Sequence, residues 1–109
     1  MTEKPLVMPR RLAIQILHEA QIAQPDAIHG WVRGAAQPLS YQHGAPPADA
    51  ELWARLWSNP LSPAVPEPAQ LGAGGLHLVI SLNTKGVLEM RAWQLEGGVP
   101  HERILKVRD

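Results

Sequence analysis

A chain of 109 residues with ten Lys and Arg, ten Asp and Glu and no cysteine is one domain with room for a modest core. Zero formal net charge favours neither nucleic acid nor an anionic membrane surface. The missing thiols exclude disulfides, thiolate metal sites and a cysteine nucleophile. Residues 1–11 carry no apolar stretch of signal-peptide length, and no later run could span a bilayer, so a cytoplasmic protein is expected.

Eleven prolines, clustered between Pro38 and Pro68, and four tryptophans without a phenylalanine set the chain apart. Trp31, Trp53, Trp57 and Trp93 are expected to supply much of the core, their indole N–H groups needing acceptors where buried. Trp53 and Trp57, beside a Pro-rich stretch, also suit a protein-binding surface.

The lead, residues 1–8, reads as an edge strand at residues 5–8. Pro9 suits the first turn of a helix. Across residues 10–24, Leu12, Ala13, Ile16, Leu17, Ala20 and Ala23 recur at spacings of three and four, the apolar stripe of an amphipathic helix. Ile14 and Ile22 widen that stripe, and Pro25 ends it. Residues 27–34, with Ile28, Trp31 and Val32, predict a strand. Residues 35–48, with Gln37-Pro38, His43-Gly44 and Pro46-Pro47, predict a loop.

Residues 50–57 allow two readings: a helix capped by Asp49, or a strand in which Leu52, Ala54 and Leu56 alternate with Trp53, Arg55 and Trp57. Residues 57–70 are too rich in proline for a central strand or a long helix. A long irregular stretch inside a small domain is usually functional or disordered. Residues 71–75 form a Gly-rich connection. It precedes a strand and lacks a following Lys-Ser/Thr, so it is no phosphate loop. Residues 76–82 predict a strand buried on both faces. A turn at residues 83–86 leads to an antiparallel neighbour, residues 87–95. After a turn at residues 96–98, residues 99–107 hold one or two last strands, with Ile104, Leu105 and Val107 apolar.

Three blocks share a rhythm. The first is Pro25-Asp26-Ala27-Ile28-His29-Gly30-Trp31-Val32-Arg33-Gly34. The second runs from Trp57-Ser58-Asn59-Pro60 to Glu67-Pro68-Ala69-Gln70. The third is the strand of residues 76–82 followed by Leu88-Glu89-Met90-Arg91-Ala92-Trp93-Gln94-Leu95-Glu96-Gly97-Gly98. In this order they resemble the JAMM/MPN (Mov34-like, JAB) metalloprotease family, as a short bacterial-type domain. The family reads Pro-x-Glu-x-x-Gly after its helix, then His-x-His-Pro, a spacer and Pro-Ser-x-x-Asp. Prolines and glycines match, whereas the chemistry does not. The two histidines correspond to Trp57 and Asn59, the aspartate ligand to Gln70, the serine to Glu67 and the general-base glutamate to Ala27. Indole is no metal ligand, and an amide is a poor one for zinc.

The resemblance implies a single α/β domain over residues 1–109. A curved, mixed, largely antiparallel sheet packs against the N-terminal helix, with cytidine-deaminase-like layering and a second short helix. It implies a catalytically inactive domain without cofactor, acting as an interaction or scaffold module. The implied partner is an active JAMM relative, a ubiquitin-like or sulfur-carrier protein, or a second copy, with no nucleic acid and no membrane. Two alternatives stand beside this reading. One is a metal-dependent isopeptidase or peptidase with a zinc site rebuilt from His29, Glu67 and His77 or His43. The other is small-molecule binding in a vacated cleft lined by Trp57, Trp31 and Glu67. His18 and His101 read as surface residues, and Ser40, Ser58, Ser62 and Ser81 lack a nucleophile-elbow context.

Overall fold

Apolar residues at helical spacing and a run of alternating strands build the chain around one sheet. The computed structural model describes residues 5–59, 64–72, 75–84 and 87–108, with backbone alone at 83, 84, 87 and 88. Residues 1–4 of the expected lead, positions 60–63 with Ser62, positions 73 and 74 of the Gly-rich connection, and positions 85 and 86 of the expected turn lie outside the described residues.

β1 (Leu6–Pro9) runs into α1 (Arg10–Ile22). Pro9 is the N-cap rather than a first-turn residue, with φ −59° and ψ 140°, so the helix begins one position later than expected. Leu12, Ala13, Ile16 and Ala20 are buried, as the spacing predicts. Ile14 and Ile22 do not widen the buried stripe. They are 59% and 63% exposed, because a helix lying on one sheet buries a limited arc and they fall outside it.

β2 (His29–Arg33), β3 (Ser40–His43), β4 (Leu52–Asn59), β5 (His77–Thr84), β6 (Val87–Glu96) and β7 (Val99–Arg103) form one sheet in the order β3-β2-β4-β5-β6-β7. Its pairs are antiparallel except the parallel β4–β5. β8 (Leu105–Arg108) leaves this sheet and pairs in parallel with β1. A short 3-10 turn, Pro68–Leu71, lies at the end of the stretch expected to be irregular.

One expectation changes and two open readings are resolved. β3 lies inside the stretch expected to be loop. Tyr41 is its one buried side chain, so the polar residues around it conceal the period of two. Gly30 makes room for that ring: a Cβ there would meet Tyr41 Cε1 at 2.6 Å. Residues 50–57 resolve as strand, with Ala54, Leu56 and Ser58 buried on alternate positions, and no Asp49-capped helix forms. The last segment divides at Ile104 into β7 and β8, the second of the two expected arrangements, and Ile104 is 63% exposed. The predicted strand at residues 76–82 is present as β5. Leu78, Val79 and Ile80 are all fully buried, so both of its faces are covered.

Those two faces carry different cores. On one, Val32, Ala54, Leu56, Leu78, Ile80 and Ala92 meet Leu12, Ala13, Ile16 and Ala20 of α1. Burying each of the larger aliphatic side chains is worth about 1.5–3 kcal/mol. On the other, Val79 and Trp93 meet Ala64 and Leu71 from the Pro-rich segment, with Trp57 and Leu95 partly buried beside them. The Trp93 indole N–H donates to the Ala64 carbonyl at 3.0 Å, which fastens that segment to the sheet. Among the described residues no helix is long and apolar enough to cross a membrane.

Candidate functional site

The second face is where the resemblance places its chemistry. Residues i and i+2 of a strand share a face, so Trp57 and Asn59 lie together there. His29 and Val79 are the register partners of Trp57 on either side. Between them Ser58 faces α1. It is 1% exposed, and its Oγ accepts the Ile28 N–H at 2.8 Å while its own N–H donates to the Ile28 carbonyl at 3.1 Å. That pair pins the entry of β2 against β4.

The Trp57 ring packs edge-on against His77, with centroids 5.4 Å apart and an interplanar angle of 68°. Its Nε1 is buried and finds no acceptor among the described residues. His77 is 1% exposed, and its Nδ1 lies 3.3 Å from the Gly75 carbonyl oxygen. Burial depresses the His77 pKa below the usual histidine value, the Gly75 contact opposing and Arg55 reinforcing that shift.

Glu67 and Gln70 cap the 3-10 turn reciprocally. The Glu67 side chain accepts the Gln70 backbone N–H, and Gln70 Oε1 accepts the Glu67 N–H at 2.8 Å. Each thus satisfies a donor that a helix start leaves open. The Glu-Pro-x-Gln spacing was a legible signal for this cap, and sequence reasoning missed it. The Ser58–Ile28 and Trp93–Ala64 bonds carried no such local signal, being long-range.

Ala27 precedes β2 and is exposed. The strand expected over residues 27–34 therefore begins at His29. The rebuilt site is not assembled. His43 stands opposite Gly30 on the α1 side, where its Nδ1 is 3.3 Å from the Tyr41 hydroxyl and its Nε2 is 3.7 Å from Glu19. Burial, with Glu19 nearby, raises the Tyr41 pKa. His29 is exposed and His77 buried. Among the described residues no three His, Cys, Asp or Glu cluster so as to hold a metal ion. Trp31 and Trp93 are core as expected, whereas Trp53 and Trp57 are half-buried. Two hollows formed by described residues lie elsewhere. One of about 400 Å³ is bordered by Arg91, Glu102 and Arg103. The other, of about 830 Å³, lies between the start of α1 and residues 37–40. Neither is lined by Trp57, Trp31 or Glu67.

Sequence comparison finds no matching family model and no matching curated protein. Solved structures do match, over almost the whole chain. A structure described as JAMM, a metalloprotease-like zinc site in the proteasome and signalosome, aligns with a TM-score of 0.71 at 17% identity, covering 97% of this chain and 100% of that one. A JAB1/MPN domain protein of Archaeoglobus fulgidus aligns with a TM-score of 0.70 at 18% identity, covering 95% and 99%. The fold is JAMM/MPN-like. A protein of Desulfitobacterium hafniense, solved in solution, aligns with a TM-score of 0.70 at 15% identity, covering 95% and 93%.

A zinc ion in such a domain needs lone pairs from N, O or S donors and a base for its water. The five side chains at the positions assigned by the resemblance do not fit that requirement. The Trp57 nitrogen carries a hydrogen and no in-plane lone pair. Gln70 Oε1 and the Glu67 carboxylate are engaged in the cap. Asn59 offers a neutral amide, and Ala27 has no polar atom.

Proposed function

We propose that this chain is a catalytically inactive JAMM/MPN-like domain that works as a protein-interaction or scaffold module. One observation carries the reading. The residue that stands for the aspartate ligand, Gln70, is built into a reciprocal cap with Glu67, and Trp57 is packed against His77 and the small core. The segment that would carry metal chemistry is thereby turned into packing. Rebuilding a zinc site from His29, Glu67 and His77 would require opening the Glu67–Gln70 cap, and the version with His43 would require a side chain from the opposite face of the sheet. Binding a small molecule in the vacated cleft would require displacing Trp57. The partners that suit the reading are an active JAMM relative, a ubiquitin-like or sulfur-carrier protein, or a second copy, in the cytoplasm.

The test has two arms. Purified full-length protein, supplied with zinc, is incubated with an isopeptide-linked ubiquitin-like substrate, and its mass in solution is measured alone and after partner capture with mass spectrometry. No cleavage together with a defined dimer or a reproducible protein partner supports the reading. Turnover, or a strictly monomeric protein that captures nothing, contradicts it.

A further inference from the structure

The larger hollow is built without any residue of the segment that the resemblance assigns to metal chemistry. It holds about 830 Å³ between the first turns of α1 and residues 37–40, a volume that suits a small-molecule ligand. One wall is helical. Ile14 follows Arg10 by four positions and Arg11 by three, so the three are neighbours on the helix surface. Helical side chains lean towards the N-terminus, which brings Ile14 between the two arginines. Ile14 is 59% exposed, and buried Leu12 lines the hollow beside it.

The other wall is a tight loop. The Leu39 N–H donates to the Arg33 carbonyl at 2.7 Å, and the Gly34 N–H to the Glu51 carbonyl at 2.9 Å. A Cβ on Gly34 would collide with the Gln37 carbonyl oxygen, so the loop closes only with glycine there. Pro38, buried, fixes its own φ beside that closure. These constraints hold Leu39 in place on the hollow, 57% exposed. The charge of the lining is one-sided. Arg10 and Arg11 belong to it, and no acidic residue does. Ser40 Oγ accepts from Gln42 Nε2 at 3.1 Å and from Arg33 Nε at 3.4 Å, which leaves its hydroxyl hydrogen to donate. No aromatic side chain lines the hollow, so its apolar surface is aliphatic.

We propose that this hollow binds a small aliphatic carboxylate, a dissolved medium-chain fatty acid, at a site separate from the interaction-module reading. The chain lies between Ile14 and Leu39, where it covers two apolar side chains that now face water. The carboxylate sits at Arg10 and Arg11, whose planar guanidinium groups donate paired hydrogen bonds to its two oxygens. The Ser40 hydroxyl supplies a further donor. A neutral alcohol of the same length keeps the apolar contact and loses the ionic one. Two arginines fall short of the cluster of about 4–8 basic residues that marks a membrane-binding surface, so the source is the dissolved acid rather than a bilayer.

The probe is decanoate, kept below its micelle concentration and titrated into the isotope-labelled full chain. Saturable binding is expected, with shifts of the backbone amide resonances of Ile14, Gln37 and Leu39. Decanol should bind about ten-fold more weakly. Arg11→Gln should weaken decanoate by about ten-fold and leave decanol unchanged, a split that a folding defect does not produce. Leu39→Ser, at an exposed position, should weaken both alike. Lys106→Gln, on β8, should change neither. Absence of binding, decanol binding as tightly as decanoate, shifts confined to other strands, or preference for anionic phospholipid vesicles over the dissolved acid overturns the proposal. The interaction reading is tested by cleavage, solution mass and partner capture, so either can fail while the other stands.

Discussion

The two faces of the sheet are covered by different means, and the difference bears on function. The α1 face is closed by a regular helix whose apolar stripe matches the strand residues below it. The other face is closed by an irregular, proline-bearing segment held by Ala64, Leu71, the Trp93 indole bond and the Glu67–Gln70 cap. The irregular cover is where the resemblance locates metal ligands, and here side-chain packing and a cap stand in their place.

Substitutions that separate the faces should differ in size. Ile80→Ala, facing α1, is expected to cost about 4–5 kcal/mol, since the helix and the two neighbouring strands cannot collapse onto the void. Leu71→Ala removes a side chain equally buried, yet its cover is a loop that can relax, so about 2–3 kcal/mol is expected. Equal costs, measured by denaturant unfolding, would break the distinction between rigid and adaptable cover. Ser58→Ala leaves the buried Ile28 N–H without its acceptor and should cost about 1–3 kcal/mol. Amide exchange at Ile28 should accelerate with it. Gln70→Ala removes one exposed capping bond, with an expected loss of about 1 kcal/mol or less, seen as faster exchange at the Glu67 amide.

The pH dependence sharpens the same contrast. His77, on the loop-covered face, has a pKa lowered below its ordinary 6.5. The unfolded chain then binds the proton more readily than the folded one. Stability is at its full value above pH 6.5 and falls as pH drops from there towards the lowered folded value. His77→Gln should flatten that part of the stability profile, read by denaturant unfolding at several pH values.

Much of the fold could be read from local pattern. The α1 stripe and the continuous apolar run of β5 both follow from periodicity. Features set by distant partners could not. β3 is hidden because Tyr41 alone is buried in it and its room is made by Gly30, eleven positions earlier. Pairing of β1 with β8 joins the two ends of the chain, which no local window reports. Ile14 and Ile22 were misjudged because hydrophobicity does not say how wide an arc the neighbouring sheet covers. At the candidate site, the residue types at Trp57, Asn59 and Gln70 were legible. The placement of His43 on the far face was not, because it depends on the register of an unrecognised strand.

The most direct measurement is the metal content of the native protein, purified without chelator or metal-affinity resin and analysed by elemental mass spectrometry. If Trp57 and the Glu67–Gln70 cap occupy the place of a ligand set, zinc, iron and manganese should all be near zero. About one zinc per chain, lost on His77→Ala or His29→Ala, would contradict the reading and return hydrolysis to this fold.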